Sequence, residues 1–235
     1  AVFPPVRRAV IALGVALAAL APAAALEPGY APLAVTAAPI PEFLPGSGET
    51  RFGDLEYLGG LRLQAGDGFG ALSGPDILPD GKTLVAISDT GTWFPARTAD
   101  GGGAPAGLAD TGLAPLLLDN GKPSPNKFAG DAEGLRIVAR EGALTAYVSF
   151  EQFPAIRTYA GPDFPAATPG RVPLPAFVDR LPSNQGLEGI AIAPLDGPLA
   201  GAILLTAERA LDDHGNHRAF VVDGPRAGAF AIARS

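Results

Sequence analysis

Three segments of the chain follow one plan, and that repetition constrains the fold more than any other feature. The first runs Leu72-Ser-Gly-Pro-Asp-Ile-Leu, a turn, then Leu84-Val-Ala-Ile-Ser-Asp89. The second is Ala132-Glu-Gly-Leu-Arg-Ile-Val, a turn, then Leu144-Thr-Ala-Tyr-Val-Ser-Phe-Glu151. The third is Leu187-Glu-Gly-Ile-Ala-Ile-Ala, a turn, then Ile203-Leu-Leu-Thr-Ala-Glu208. Each opens on Ser-Gly or Glu-Gly, makes a short apolar strand, turns, returns as a second strand and leaves on a carboxylate. The opening glycines Gly74, Gly134 and Gly189 are spaced by 134 − 74 = 60 and 189 − 134 = 55 residues. A propeller blade takes ~40–50 residues, and loop insertions account for the excess. Repeated hairpins at this period predict an all-β, β-propeller-like fold, with about four blades of a larger ring. No apolar period of ~3.6 residues is visible beyond the N-terminal segment, so no helix longer than two turns is expected there.

The rest of the pattern agrees. Gly and Pro together make 31 + 25 = 56 of 235 residues, turn chemistry that suits many short strands better than a helical bundle. Leu55 to Leu63 reads as a strand with a Gly kink, and Leu144, Ala146, Val148 and Phe150 share one face by alternation. Ile156–Tyr159 and Ala219–Val222 are further short strands, and Ala229–Ala233 is another. Pro95 to Gly130 reads as a long Gly/Pro-rich loop holding at most one strand, at Leu116–Leu118.

The N-terminus carries a different signal. Arg7 and Arg8 precede an Ala-rich apolar run that holds Pro22 and ends on small residues at Ala23 and Ala25. Residues 1–25 are therefore expected to be a secretory signal peptide, not a membrane span. A Pro/Ala-rich lead-in covers 26–50, and the propeller domain covers 51–235. This places the protein in the periplasm or outside a bacterial cell, with no stable membrane anchor after cleavage. The first residue is Ala, and the chain stops two residues after a strand pattern. Both suggest an incomplete chain, whose open sheet edges favour association.

Hairpin geometry turns the repeat into chemistry. The start of a hairpin's first strand lies beside the end of its second, with opposed positions ~4.5–5.5 Å apart. Glu133 should therefore meet Glu151, Glu188 should meet Glu208, and Ser73 should meet Asp89. Radial repetition brings these pairs to one mouth, with Asp131 beside them. Clustered carboxylates repel one another unless they bind protons, Arg or hard cations. A divalent cation, calcium by its taste for many oxygens, is expected among Asp89, Asp131, Glu133, Glu151, Glu188 and Glu208. Glu188 is the expected direct ligand and Glu151 a ligand or general base. Of Lys82, Arg97, Lys127, Arg157 and Arg209, Arg209 is the candidate for binding a substrate anion. Strand alternation opposes that choice unless the strand has ended before it.

Other constellations are weaker. There is no cysteine, which excludes thiol nucleophiles, disulfides and Cys-ligated zinc. The net charge of −7 with dispersed Lys and Arg makes nucleic acid a poor partner. His214 and His217, with Asp212 and Asp213, could ligate a metal, but a polar loop explains them as well. No Gly-x-Ser-x-Gly elbow is present, and Gly101-Gly-Gly103 lacks the flanking elements of a phosphate loop. Trp93 reads as a packing residue.

The succession of motifs resembles the phytase-like family known for esterase-like activity of phytase. It comprises Phe69-Gly-Ala-Leu-Ser-Gly74 with Ser88-Asp89, then Asp131-Ala-Glu-Gly134 with Ser149-Phe-Glu151. It closes with Asn184-Gln-Gly-Leu-Glu-Gly189 and Ala207-Glu208. The resemblance covers roughly residues 52 to 223. It implies a propeller-like fold and an exported, metal-assisted hydrolase of small-molecule phosphate or carboxylic esters. A non-enzymatic periplasmic propeller that binds a ligand or a partner protein is the alternative.

Overall fold

The computed structural model describes residues 29–176, 178, 181 and 186–232. The expected signal peptide, Asn184 of the third motif and Ala233 lie outside the described residues. Half of the structure is strand and 4% is helix. The lead-in forms β1 (Ala31–Pro32) and β2 (Thr36–Ile40), and the residues between it and the first repeat form β3 (Arg51–Phe52), β4 (Leu55–Glu56) and β5 (Gly60–Gln64). The first repeat forms β6 (Leu72–Ile77) and β7 (Thr83–Ser88), followed by β8 (Thr92–Asp100), β9 (Pro105–Ala109) and β10 (Gly112–Pro115). A single-turn helix, α1 (Lys127–Gly130), precedes β11 (Ala132–Arg140), β12 (Ala143–Phe150), β13 (Ala155–Ala160) and β14 (Gly170–Val172). The last group is β15 (Leu187–Ile192), β16 (Ile203–Leu211), β17 (His217–Val222) and β18 (Gly228–Ile232).

Each repeat seeds its own antiparallel sheet. The orders are β6-β7-β8-β10-β1 with β9 on β8, then β11-β12-β13-β14, then β15-β16-β17-β18. About four such sheets were expected and three form among the described residues. Residues 36–64, broken by Pro and Gly, give only the two-stranded ribbons β2-β5 and β3-β4. The stretch read as one kinked strand, Leu55 to Leu63, is thus split between two ribbons. The loop reading of 95–130 is also corrected: β8 runs on to Asp100, and β9 and β10 return to pair with it. Leu116–Leu118 is not a strand, although Leu117 makes an isolated bridge to Pro123. Segments such as Pro-Ala-Gly-Leu-Ala have little strand propensity, and pairing with an existing edge decides their conformation.

The cores lie between successive sheets. Val85 and Ile87 of β7 meet Ala146, Val148 and Phe150 of β12 around Trp93, with Leu144 partly buried beside them. The other face of the second sheet offers Ile156 to Leu187, Leu205 and Phe220 of the third. Ala86, Phe94 and Ala96 pack under Leu33 of the lead-in and under Leu63 and Phe69. Trp93 is fully buried, stacked on Phe164 at 5.5 Å and edge-on to Tyr159 at 5.2 Å. The middle sheet is therefore covered on both faces.

The innermost strands β6, β11 and β15 lie side by side. Asp76 of β6 ties the first pair: its Oδ2 accepts from Ile137 N at 2.7 Å and its Oδ1 pairs with Arg136 at 2.9 Å. The repeated glycines allow this approach. A Cβ on Gly74 would lie 2.3 Å from Leu135 N, and one on Gly134 would lie 2.6 Å from Glu188 O. Both obstacles are backbone and cannot swing aside. Gly134→Ala should cost ~1–3 kcal/mol in urea unfolding. Gly107→Ala, where a Cβ meets nothing within 4 Å, is the control and should stay within about 0.5 kcal/mol. Equal midpoints for the two variants would refute the close inner-strand packing.

Candidate metal centre

The register of each hairpin places the acids. In the second sheet Ala132 opposes Phe150 and Gly134 opposes Ser149, so Glu133 is the extra residue of a bulge. In the third, Leu187 opposes Ala207 and Gly189 opposes Thr206, so Glu188 occupies the same place. A bulge breaks alternation and re-aims its side chain. The carboxylates that leave the hairpins are fixed by a repeated hydrogen bond. Asp89 N donates to Ala71 O at 3.1 Å, Glu151 N to Asp131 O at 2.9 Å, and Glu208 N to Gly186 O at 3.1 Å. Ser149 Oγ accepts from Gly134 N at 2.9 Å and reaches Glu188 O at 3.4 Å, locking the two bulges together.

Five of the six expected ligands gather in two overlapping triads. Asp131, Glu133 and Glu151 each offer an oxygen within 4.8 Å of the others, and so do Glu151, Glu188 and Glu208. Glu151 belongs to both. Asp89 stands outside the triads: its Oδ2 accepts from Lys127 Nζ at 2.5 Å, and the same ammonium lies 3.7 Å from Asp131 Oδ1. Lys127 is held at the start of α1, where Asn126 Oδ1 caps Ala129 N at 3.0 Å. The Asp89 hydrogen bond, aided by the neighbouring acids, raises the Lys127 pKa. The residues one turn apart, Lys127 and Asp131, were the sequence signal for this pair.

The first hairpin carries Ser73 where the others carry Glu. Its Oγ donates to Glu133 Oε2 at 2.9 Å. Burial still pushes the Glu133 carboxyl up to about 7, against Ser73 and with the help of Glu188, Asp131 and Glu151. Burial raises Glu151 too, then Glu188 and Asp131 add to it. Glu188 is raised by burial and by Glu208. Asp131 and Glu151 are each only 4% exposed, and Asp131 Oδ1 and Glu151 Oε1 are buried with no hydrogen-bond partner among the described residues. Buried oxygen acceptors of one sign, within 4.8 Å of one another and with Lys127 beside Asp131, match the all-oxygen donor set of a hard divalent cation. They fit calcium better than a metal that needs nitrogen or sulfur.

Arg209 sits beside the cluster, its Nε 3.2 Å from Glu208 Oε1 and its side chain 72% exposed. The register shift in β16 between Thr206 and Leu211 removes the alternation that opposed this placement. Of the other cations, Arg97 pairs with Asp110 at 3.0 Å and Arg157 with Asp119 at 2.8 Å. The His214–His217 segment is a turn: Asp212 Oδ1 accepts from His214 N at 2.9 Å and from Asn216 N at 2.8 Å. Gly101–Gly103 closes the β8–β9 hairpin, with Gly103 N on Asp100 Oδ1.

Compared with known proteins, residues 67–234 match the sequence model of the phytase-like family described as esterase-like activity of phytase. No curated protein and no solved structure matches the chain.

Proposed function

The chain belongs to the phytase-like family, and from that premise we propose that it is an exported, metal-assisted hydrolase of small-molecule phosphate or carboxylic esters. The single observation behind this reading is the pair of carboxylate triads that share Glu151. In the same reading the three sheets are consecutive blades of a β-propeller, with β6, β11 and β15 facing its axis. Three blades are fewer than the four to eight that close a ring, so they form an arc. The cation is calcium.

Glu151, Glu188 and Glu208 would hold the cation, with Asp131 beside Glu151. Such an ion lowers the pKa of a bound water and offsets charge developing on an ester oxygen. Glu133, left off the ion and raised by burial in the cation-free protein, would take the proton of the attacking water. Ser73 fixes that carboxyl in place through Oγ. Arg209, exposed beside Glu208, receives the anionic part of the substrate. Lys127 compensates Asp89 and Asp131, which keeps the rim of the cluster from spreading apart.

The test is hydrolysis of an aryl phosphate and an aryl carboxylate by the purified protein, with calcium or with chelator. Turnover of at least one substrate should need calcium. Glu188→Gln should weaken calcium binding and remove turnover while leaving the far-ultraviolet spectrum unchanged. Equal turnover in chelator would end the metal-assisted reading.

A further inference from the structure

A second feature lies at the same end of the middle sheet and involves none of the triad acids. A cavity of about 520 Å³ is lined by Leu118, Phe153, Ala155, Arg157, Arg171 and Leu181, with Ala129 and Gln152 at its side. Arg157 of β13 and Arg171 of β14 are direct cross-strand partners. Like charges placed opposite each other in a sheet destabilise it. One carboxylate offsets the pair: Asp119 Oδ1 accepts from Arg157 Nε at 2.8 Å, and Asp119 Oδ2 accepts from Arg171 Nε at 2.8 Å. Two guanidinium groups against one carboxylate leave a positive charge in a protein whose net charge is −7.

Arg157 is only 6% exposed. Its guanidinium lies 4.1 Å from the centre of the Phe150 ring, and its Nη1 is buried with no hydrogen-bond partner among the described residues. A buried, unpaired donor on a charged group is costly, and because Arg157 and Arg171 both line the cavity, an anion there lies beside that uncompensated charge. The rim is apolar in an unusual way. Phe153 is 57% exposed and Phe128 is 52% exposed, and the two rings meet edge to face at 5.1 Å. Two solvent-exposed rings in contact form a platform for a planar apolar group. Phe153 follows Glu151 by two positions, Phe128 precedes Asp131 by three, and β13 begins at Ala155. The cavity therefore opens at the end of the sheet that carries the carboxylates.

We propose that this cavity is a binding site for an organic oxyanion, a phosphate or carboxylate carried on an aromatic ring. The oxyanion meets Arg157 and Arg171, and the ring lies against Phe153. The site needs no cation and stands independently of the hydrolase reading.

Calorimetric titration in chelator, with the full chain, tests it. Phenyl phosphate and benzoate are the two oxyanion probes, and inorganic phosphate and phenol are the controls. At least one aromatic oxyanion should bind with one-to-one stoichiometry, and comparison of the two tells phosphate from carboxylate. Inorganic phosphate and phenol should each bind roughly tenfold more weakly or less. Arg171→Gln changes an exposed side chain and should weaken the preferred probe roughly tenfold. Phe153→Ala should weaken that probe but leave inorganic phosphate unchanged. Absence of binding by both aromatic oxyanions overturns the proposal, as does binding that neither substitution alters. Because chelator is present throughout, a failure here is distinct from a failure of the calcium-dependent assay.

Discussion

Replacing Glu151 by Gln is expected to abolish calcium binding and any ester hydrolysis, while raising the melting temperature of the cation-free protein. Glu151 is the one carboxylate common to both triads, so its loss removes a charged ligand from each. Its Oε1 is buried and without a hydrogen-bond partner among the described residues. Gln keeps the shape and leaves the backbone bond from residue 151 to Asp131 O intact. Removing an outer-shell partner of a metal costs ~10–100-fold in affinity, so a shared direct ligand should cost on the order of 100-fold or more. The gain in cation-free stability has a separate origin. Burial and then Glu188 and Asp131 raise the Glu151 pKa, which means that its charge is unfavourable in the folded state. Calcium titration and scanning calorimetry read the two effects in opposite directions. An unchanged calcium affinity would remove Glu151 from the centre of the site.

The pH dependence of stability should also reverse when the cation is added. In the folded protein the Glu133 carboxyl is pushed from the ordinary 4.5 to about 7, first by burial. Between these values the folded state holds a proton that the unfolded chain has lost. The cation-free protein should therefore lose stability as pH rises from about 4.5 to about 7. Glu151 and Glu188 shift in the same direction and deepen the loss. Calcium competes with those protons, so its stabilising effect should be small at the acid end and largest above about 7. Ser73→Ala removes the hydrogen bond that opposes the shift and should move the upper end of the window upward, the lower end being set by the unfolded chain. Asp119 acts elsewhere on the pH axis. Hydrogen bonds from Arg171 and then Arg157 hold it at about 2, so its contribution is complete above 3.8 and is lost as pH falls through about 2. Melting curves from about pH 1.5 to 8, with calcium and with chelator, separate these windows. A cation-free melting temperature that rises from pH 5 to 7 would contradict the clustered, buried arrangement of the acids.

Pairing within each hairpin was legible in the residues. Local order brought Glu133 near Glu151 and Glu188 near Glu208, but the register sets Asp131 opposite Glu151 and Gly186 opposite Glu208, and the expected Ser73–Asp89 pair does not form: Ser73 opposes Ile87 and bonds Glu133. The strands of the second and third repeats, and the face shared by Leu144, Ala146, Val148 and Phe150, were legible for the same reason. The bulges at Glu133 and Glu188 were not, because the break in alternation falls on a Glu-Gly at the start of each strand, where a turn explains it equally well. Nor were β9 and β10, whose Gly, Pro and Ala become strands only where β8 offers an edge. The oxyanion cavity escaped as well: Asp119, Arg157 and Arg171 are far apart in sequence and meet only once β13 and β14 pair.

What the sequence alone determined is therefore the all-β class, the repeat and the two Glu pairs, each a matter of contacts between near neighbours in the chain. What only the tertiary structure decided is that Glu151 joins the pairs into one cluster, that Lys127 draws Asp89 aside, and that Glu133 titrates near neutral pH. Those outcomes depend on how closely β6, β11 and β15 approach and on how much water that approach excludes. Distance between sheets and burial set the repulsion among the acids, and neither is a property of any one stretch of sequence.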